Sequence, residues 1–166
     1  MRLTRTLVAA TVTLAATFTA VPAASADETV CRGTLRAVTV DDVRVPDGAR
    51  CRMIGTTVQG NITLGDDAKL RAVRIDVDGN VQGEGHRRAV LRRSDVGGSV
   101  QLVDGGAAIV ARTEVGGDVQ FFDNDGRIVI RRNVIDGNLQ CKANAPAPRG
   151  GGNTIGGNAE DQCRRL

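Results

Sequence analysis

The chain has 166 residues, of which 41% are hydrophobic and 25% charged, and its formal net charge is only +3. It contains three Phe residues and no Trp or Tyr. So few aromatic side chains and so small a charge provide neither stacking platforms for bases nor a field that neutralises phosphates, so we expect no nucleic-acid partner.

The N-terminus has the pattern of a secretory signal peptide over residues 1–26. Two arginines precede an apolar run from Leu7 to Val21, and Ala24-Ser25-Ala26 supplies the small residues of a cleavage site. Cleavage after Ala26 removes two arginines and no acid, which leaves 20 basic and 19 acidic side chains. The apolar run is short for a membrane span, and no second run of about 18 apolar residues follows. We therefore expect a secreted, extracellular domain over residues 27–166 with no membrane span.

A glycine followed by a polar residue recurs downstream every 19 or 20 residues. The pairs are Gly60-Asn61, Gly79-Asn80, Gly98-Ser99, Gly117-Asp118, Gly137-Asn138 and Gly157-Asn158. A period of this length indicates a solenoid, in which each coil stacks on the last and cannot bury its apolar face alone. An earlier coil is in register at Asp42, so we expect about seven coils stacked at the ~4.8 Å spacing of β-strands.

Each coil contains three short stretches in which every second residue is apolar. The first stretch gives the column Val58, Val77, Val96, Val115, Ile135 and Ile155, and the second gives the column Ile62, Val81, Val100, Val119, Leu139 and Ala159. The column of the third stretch begins at Cys51 and Met53. Apolar residues at every second position, in short runs separated by Gly, Asn and Asp, predict strands and not helices. The six-residue units of left-handed helices are absent. The sequence therefore predicts an all-β fold, a single-stranded right-handed parallel β-helix.

Polar residues are expected to form the corners between these strands. At each Gly-Asn step the glycine would supply a positive φ, and the Asn would hydrogen-bond to its copy in the next coil. Ser94, Thr113, Asn133 and Asn153 form another column, too irregular for an ice-binding face, which we interpret as a hydrogen-bonded corner ladder. Pro146 and Pro148 cannot donate ladder hydrogen bonds, so an irregular C-terminal cap is expected from about residue 142.

Four cysteines lie in the part expected to be exported, where disulfides form readily. Three pairings are possible, and the spacing favours Cys31–Cys51 and Cys141–Cys163 because each pair is separated by about one coil. A zinc site is the rival interpretation. No CxxC motif occurs and His86 is the only histidine, so we predict no metal site.

Two C-terminal stretches carry a family resemblance. Residues 136–148, DGNLQCKANAPAP, and 152–163, GNTIGGNAEDQC, resemble the C-terminal part of small secreted actinobacterial proteins of unknown function. The resemblance extends over most of residues 27–166 and implies a short parallel β-helix, but it carries over no catalytic residue. A looser likeness to pectate-lyase-type β-helices concerns architecture alone.

The most distinctive polar feature is a pair of charged columns. One consists of Arg74, Arg93, Arg112 and Arg132, and the other of Asp76, Asp95 and Glu114. They alternate with inward columns, so we expect both to point outward from the same strand. Two interpretations are open: a ligand-binding surface for an acidic polysaccharide, or two opposite charge ladders that relieve each other's repulsion.

Two other polar groups contain residue types that can bind a metal ion or carry a proton. Asp123-Asn124-Asp125-Gly126 offers oxygen ligands for calcium, but lacks the closing glutamate of an EF-hand, so turn formation is favoured. His86 beside Glu84 could carry protons, although a solvated loop histidine is the simpler interpretation. No nucleophile, phosphate loop or dinucleotide motif occurs, so no catalytic residue or cofactor is predicted.

These observations predict a secreted, non-catalytic β-solenoid that is a structural or binding protein of the cell exterior or envelope. Minimal corners build a smooth rod without loops that could wall a cleft. The partner considered is a cell-wall or extracellular glycan. The alternative is a small lyase-like enzyme acting on polysaccharides through the Arg and acidic columns.

Overall fold

The computed structural model describes residues 27–166, which form an all-β chain of 22 strands in three parallel sheets. The predicted signal peptide lies outside the described residues. Successive strands pass from the first sheet to the second and then to the third, so that one coil contributes one strand to each. This is the predicted parallel β-solenoid, and the seven-stranded second and third sheets confirm about seven coils. The right-handed winding stays a prediction.

The strands are short, as the spacing of Gly, Asn and Asp requires. The first sheet contains β1 (Glu28–Val30), β4 (Asp42–Val45), β7 (Ile62–Leu64), β10 (Val81–Glu84), β13 (Val100–Val103), β16 (Val119–Phe122), β19 (Leu139–Lys142) and β22 (Ala159–Asp161). The second contains β2 (Thr34–Arg36), β5 (Arg50–Ile54), β8 (Lys69–Val73), β11 (Arg88–Arg92), β14 (Ala107–Ala111), β17 (Ile128–Arg131) and β20 (Arg149–Gly151). The third contains β3 (Thr39–Val40), β6 (Thr57–Val58), β9 (Asp76–Val77), β12 (Asp95–Val96), β15 (Glu114–Val115), β18 (Val134–Ile135) and β21 (Thr154–Ile155).

The core is the space that the three sheets enclose, and the repeat fills it with stacks of like residues. Val96 pairs in register with Val77 on one side and Val115 on the other, and all three are buried. In the first sheet the column of Leu102 and Phe121 is buried in the same way. The inward columns are thus confirmed, and most of them consist of branched aliphatic residues whose stacked side chains leave water no access.

The corner glycines adopt a different conformation from the one expected. None of the glycines of the six Gly-polar pairs has a positive φ. They are required instead by close stacking, because a Cβ at Gly79 would lie 2.5 Å from the carbonyl oxygen of Gly60 and 2.6 Å from Asn61 Oδ1. The backbone of one coil therefore approaches the next too closely for any side chain.

Polar residues at two corners form the expected ladders. Asn80 donates its backbone N–H and its side-chain amide to Asn61 Oδ1, at 2.9 and 3.1 Å. At the corner between the second and third sheets, Thr113 donates its backbone N–H to the buried Asn133 Oδ1, and Asn133 donates likewise to Asn153. These bonds satisfy backbone groups that the strand ladders leave free at the bends.

The two disulfides lie near the two ends of the rod, with the predicted pairing. Cys31 is joined to Cys51 and Cys141 to Cys163, with Cα–Cα distances of 5.5 and 5.3 Å. Short strands of all three sheets continue past residue 142, where an irregular cap is predicted to begin, and the last of them, β22, ends at Asp161. Pro146 and Pro148 are accommodated because they lie in the corner before β20, outside the hydrogen-bonded ladder.

Candidate functional site

The outward faces of the three sheets differ in chemistry. On the first sheet, glutamines bond to each other between coils, as between Gln82 and Gln101 at 3.0 Å and between Gln120 and Gln140 at 2.8 Å. The outward residues of the third sheet include Asp76, Asp95 and Glu114, paired in register. The second sheet is basic. Charges that nearly cancel over residues 27–166 are therefore separated onto different faces.

The predicted arginine column is exposed, but it lies in a corner and not on the strand that carries the acids. Each arginine directly follows a second-sheet strand and has a φ angle of 52 to 55°, in the left-handed region; the four are Arg74, Arg93, Arg112 and Arg132. Gly55 and Gly152 occupy this corner in the neighbouring coils, also at positive φ. The backbone N–H of Arg93 donates to the Ala111 carbonyl of the next coil. Four arginines thus occupy a conformation that glycine adopts with less strain.

No ion pair joins the arginine column to the acidic column within the described residues. In residues 27–166 the only ion pairs within 4.0 Å are Arg44–Glu28 and Arg87–Asp67, and neither involves the arginine column or the acids Asp76, Asp95 and Glu114. Because the two columns lie on different elements, we name them separately, as the arginine corner and the acidic row.

A larger basic surface was missed from the sequence. The strands of the second sheet contain no Asp or Glu and nine cationic residues: Arg36, Arg50, Arg52, Lys69, Arg71, Arg88, Arg92, Arg131 and Arg149. The signal was available, because these residues alternate with the inward column that begins at Cys51 and Met53, and the alternation itself places them outward. We call this surface the basic face.

The basic face is electrostatically unfavourable as it stands. None of its nine cations forms an ion pair within the described residues, and like charges sit in register, as Arg50 does beside Lys69 and Lys69 beside Arg88. The proximity of Arg50, followed by partial desolvation and by Arg87, lowers the pKa of the Lys69 ammonium. Like charges directly opposite on neighbouring strands destabilise a sheet. Contact with an anion would remove that repulsion.

His86 is buried, which corrects its interpretation as a solvated loop residue. Its side chain is 0% exposed, and neither ring nitrogen has a hydrogen-bond partner among residues 27–166. The next coil has Gly105 at the equivalent position, and a Cβ there would collide with the imidazole ring. Because Gly105 has no side chain, the His86 imidazole can occupy the space next to it. Asn124 and Asn144 hold the same corner in later coils with hydrogen-bonded amides.

The imidazole of His86 should stay neutral until the pH is far below its usual pKa. Burial lowers its pKa from 6.5 to about 4, and Asp125 opposes this shift in part. The unfolded chain takes up the proton near pH 6.5, so the stability held by neutral His86 is complete above pH 6.5 and falls as the pH drops towards 4, by up to about 3 kcal/mol. NMR titration of this single histidine should give a midpoint near 4. A midpoint near 6.5 would show that the ring is solvated. In the variant His86→Asn, the loss of folding stability between pH 6.5 and 4 should disappear.

The acidic corners do not assemble a metal site in the described part of the chain. Among residues 27–166 no group of three His, Cys, Asp or Glu side chains is placed to hold a metal ion. Asn124, in the best calcium candidate, donates its amide to the carbonyls of Leu102 and Phe122, and its Oδ1 accepts the Gly105 N–H. These bonds explain the motif as corner formation. No helix in the described range has the length and apolar character required to cross a bilayer.

Comparison with known proteins adds no assignment. No protein-family model matches the chain, and no curated protein or solved structure is significantly similar to it. The resemblance to small secreted actinobacterial proteins therefore stays a prediction. The chemistry of the basic face and of the acidic row is therefore the basis for assigning a function.

Proposed function

We propose that the protein is a secreted, non-catalytic binding module of the bacterial cell exterior that attaches to an anionic glycan of the wall or matrix. The observation that carries the proposal is the basic face, where nine cations and no acid lie on the strands of one sheet. The signal-peptide pattern, the two disulfides and the resemblance to secreted actinobacterial proteins support the exported location.

The geometry of the acids favours binding over cleavage. Asp76, Asp95 and Glu114 are exposed and follow one another on adjacent strands, at the ~4.8 Å spacing of a sheet. A glycoside hydrolase places two carboxyl groups on opposite sides of the scissile bond, and an enzyme site that holds a sugar chain is a cleft. A flat row on a single face presents all its carboxylates from one direction. We therefore propose the acidic row as a solvated surface.

The first experiment measures attachment of the purified protein to insoluble bacterial cell walls and to immobilised polygalacturonate, with neutral dextran as the control. We expect retention on the anionic supports that weakens as salt is raised, because the attraction between exposed charges extends only about 10 Å at 0.1 M ionic strength and less at higher salt. Equal retention on dextran, or none on any anionic support at low salt, would refute the proposal. Cleavage of a uronate polymer, abolished by Asp95→Asn or Glu114→Gln, would establish the lyase alternative.

The arginine corner is tested with a substitution that the chain itself uses. Arg93→Gly with Arg112→Gly removes two charges and installs the residue that Gly55 and Gly152 place at the same corner. The fold should be kept, so any lost retention reports on binding. Loss would make the arginine corner part of the binding surface, and unchanged retention would assign the ligand to the basic face alone.

A further inference from the structure

We propose that a defined binding site for an anionic oligosaccharide is framed by Arg88, Arg92 and Arg131 of the basic face and by Arg127, the residue before β17. This inference rests on the proposed function and narrows it from a charged surface to one place on it. The four arginines surround a shallow depression of about 430 Å³ whose floor is Ala107, Ile109 and Val129.

The depression exists because β14 carries alanine where its neighbours carry arginine. Ala107 is in register with Arg88 on one side, and Arg127 lies on its other side, where the Ala108 N–H donates to the Arg127 carbonyl. Ala111 is in register with Arg92 on one side and Arg131 on the other. Each alanine thus separates two arginines by two strand spacings. The frame measures about 10 Å across the strands and about 13 Å along them.

The floor between the arginines is aliphatic and partly covered. Ile109 and Val129 are in register and half-buried. Val90 and Ala111 point outward yet are only 7% and 4% exposed, so the side chains of the basic face cover them. The site therefore offers an apolar surface between four cations, which suits a ligand with a C–H-rich body and anionic groups at its edges.

A sugar chain that carries carboxylates or sulfates has this construction. The C–H faces of its rings would lie on Ile109 and Val129, and its anionic groups would accept bidentate hydrogen bonds from the guanidinium groups. No aromatic residue occurs on the second-sheet strands of the described chain, so bases of a nucleic acid would find no stacking partner there.

The test compares affinities by isothermal titration calorimetry, with oligogalacturonate as the carboxylate probe and a heparin-derived oligosaccharide of equal length as the sulfate probe. Arg88→Ala with Arg92→Ala installs the residues that β14 carries at the two matching positions, Ala107 and Ala111, so the fold should be kept. The control, Arg52→Ala with Arg71→Ala, removes the same charge from the same sheet outside the frame. We expect the first pair to weaken binding of at least one probe about tenfold or more, and the control less than about threefold.

A third variant separates a shaped site from a general field. Ala107→Arg raises the positive charge of the face but places a side chain in the depression. A framed site predicts weaker binding, and a simple field predicts tighter binding. Tighter binding, or equal losses in the two double variants, would overturn the site while leaving the proposed function intact. Failure of the unaltered protein to bind either probe at low salt would overturn the site, and failure of cell walls to retain it as well would overturn the proposed function. Stronger binding to single-stranded DNA of equal charge would overturn the glycan class.

Discussion

Replacing Val96 with Asp should leave the domain largely unfolded at room temperature. Val96 is 0% exposed and stacks between Val77 and Val115 in the third-sheet column. A carboxylate there would lie among aliphatic side chains with no partner, and its burial costs several kcal/mol, a large part of the 5–15 kcal/mol that stabilises a small domain. The repeat offers no relief, because the coils on both sides present the same apolar surface. The effect should appear as loss of the β-sheet circular dichroism signal.

The neighbouring residue provides the control for this prediction. Asp95 is on the same two-residue strand, β12, but points outward and is exposed. Asp95→Asn should change the free energy of unfolding by less than about 0.5 kcal/mol, because surface substitutions outside a network have small effects. If Val96→Asp and the unaltered protein melted at similar temperatures, the inward and outward faces of the third sheet would have been assigned in reverse.

The fold was predictable because the length of one coil, 19 or 20 residues, recurs in the sequence as a repeat. The columns of Val, Ile and Leu define the inward face of every strand, and the cysteines one coil apart fit only adjacent coils. What sequence reasoning missed depends on contacts between coils. His86 is buried because Gly105 above it lacks a side chain, and no property of His86 itself indicates that.

The candidate site was only partly predictable, for a related reason. The arginines at 74, 93, 112 and 132 stand out as a repeated column, whereas the basic face is assembled from residues of several columns that each vary between coils. In β8 one outward position holds Arg71, and β11 and β14 hold Val90 and Ile109 there. A depression between such positions arises only when strands are set side by side in register. The separation of charge by sheet is likewise invisible in a near-neutral total.

Substituting alanine for Gly98 should destabilise the protein by about 3 kcal/mol, although Gly98 does not have the positive φ that usually explains an obligatory glycine. Its N–H donates to the Gly79 carbonyl at 3.0 Å, so the two coils touch through their backbones. A Cβ at residue 98 would lie 2.8 Å from that carbonyl oxygen and would collide with Asn80 Oδ1. The carbonyl is fixed in the corner and cannot rotate away, so the coils must separate or the corner must distort.

Gly33→Ala is the matched control, since Gly33 also lacks a positive φ and a Cβ there would have no atom within 4 Å. This variant should be as stable as the unaltered protein or more stable by up to about 1 kcal/mol, because alanine restricts the unfolded chain. Urea unfolding of both variants supplies the comparison. If Gly98→Ala proved as stable as Gly33→Ala, the coils would not stack through their glycines, and the recurrence of glycine at this corner would need another cause. A large difference in stability would establish that glycine recurs at this corner because the backbones of neighbouring coils are in contact there. The same close stacking of coils sets the register of the strands that carry the basic face.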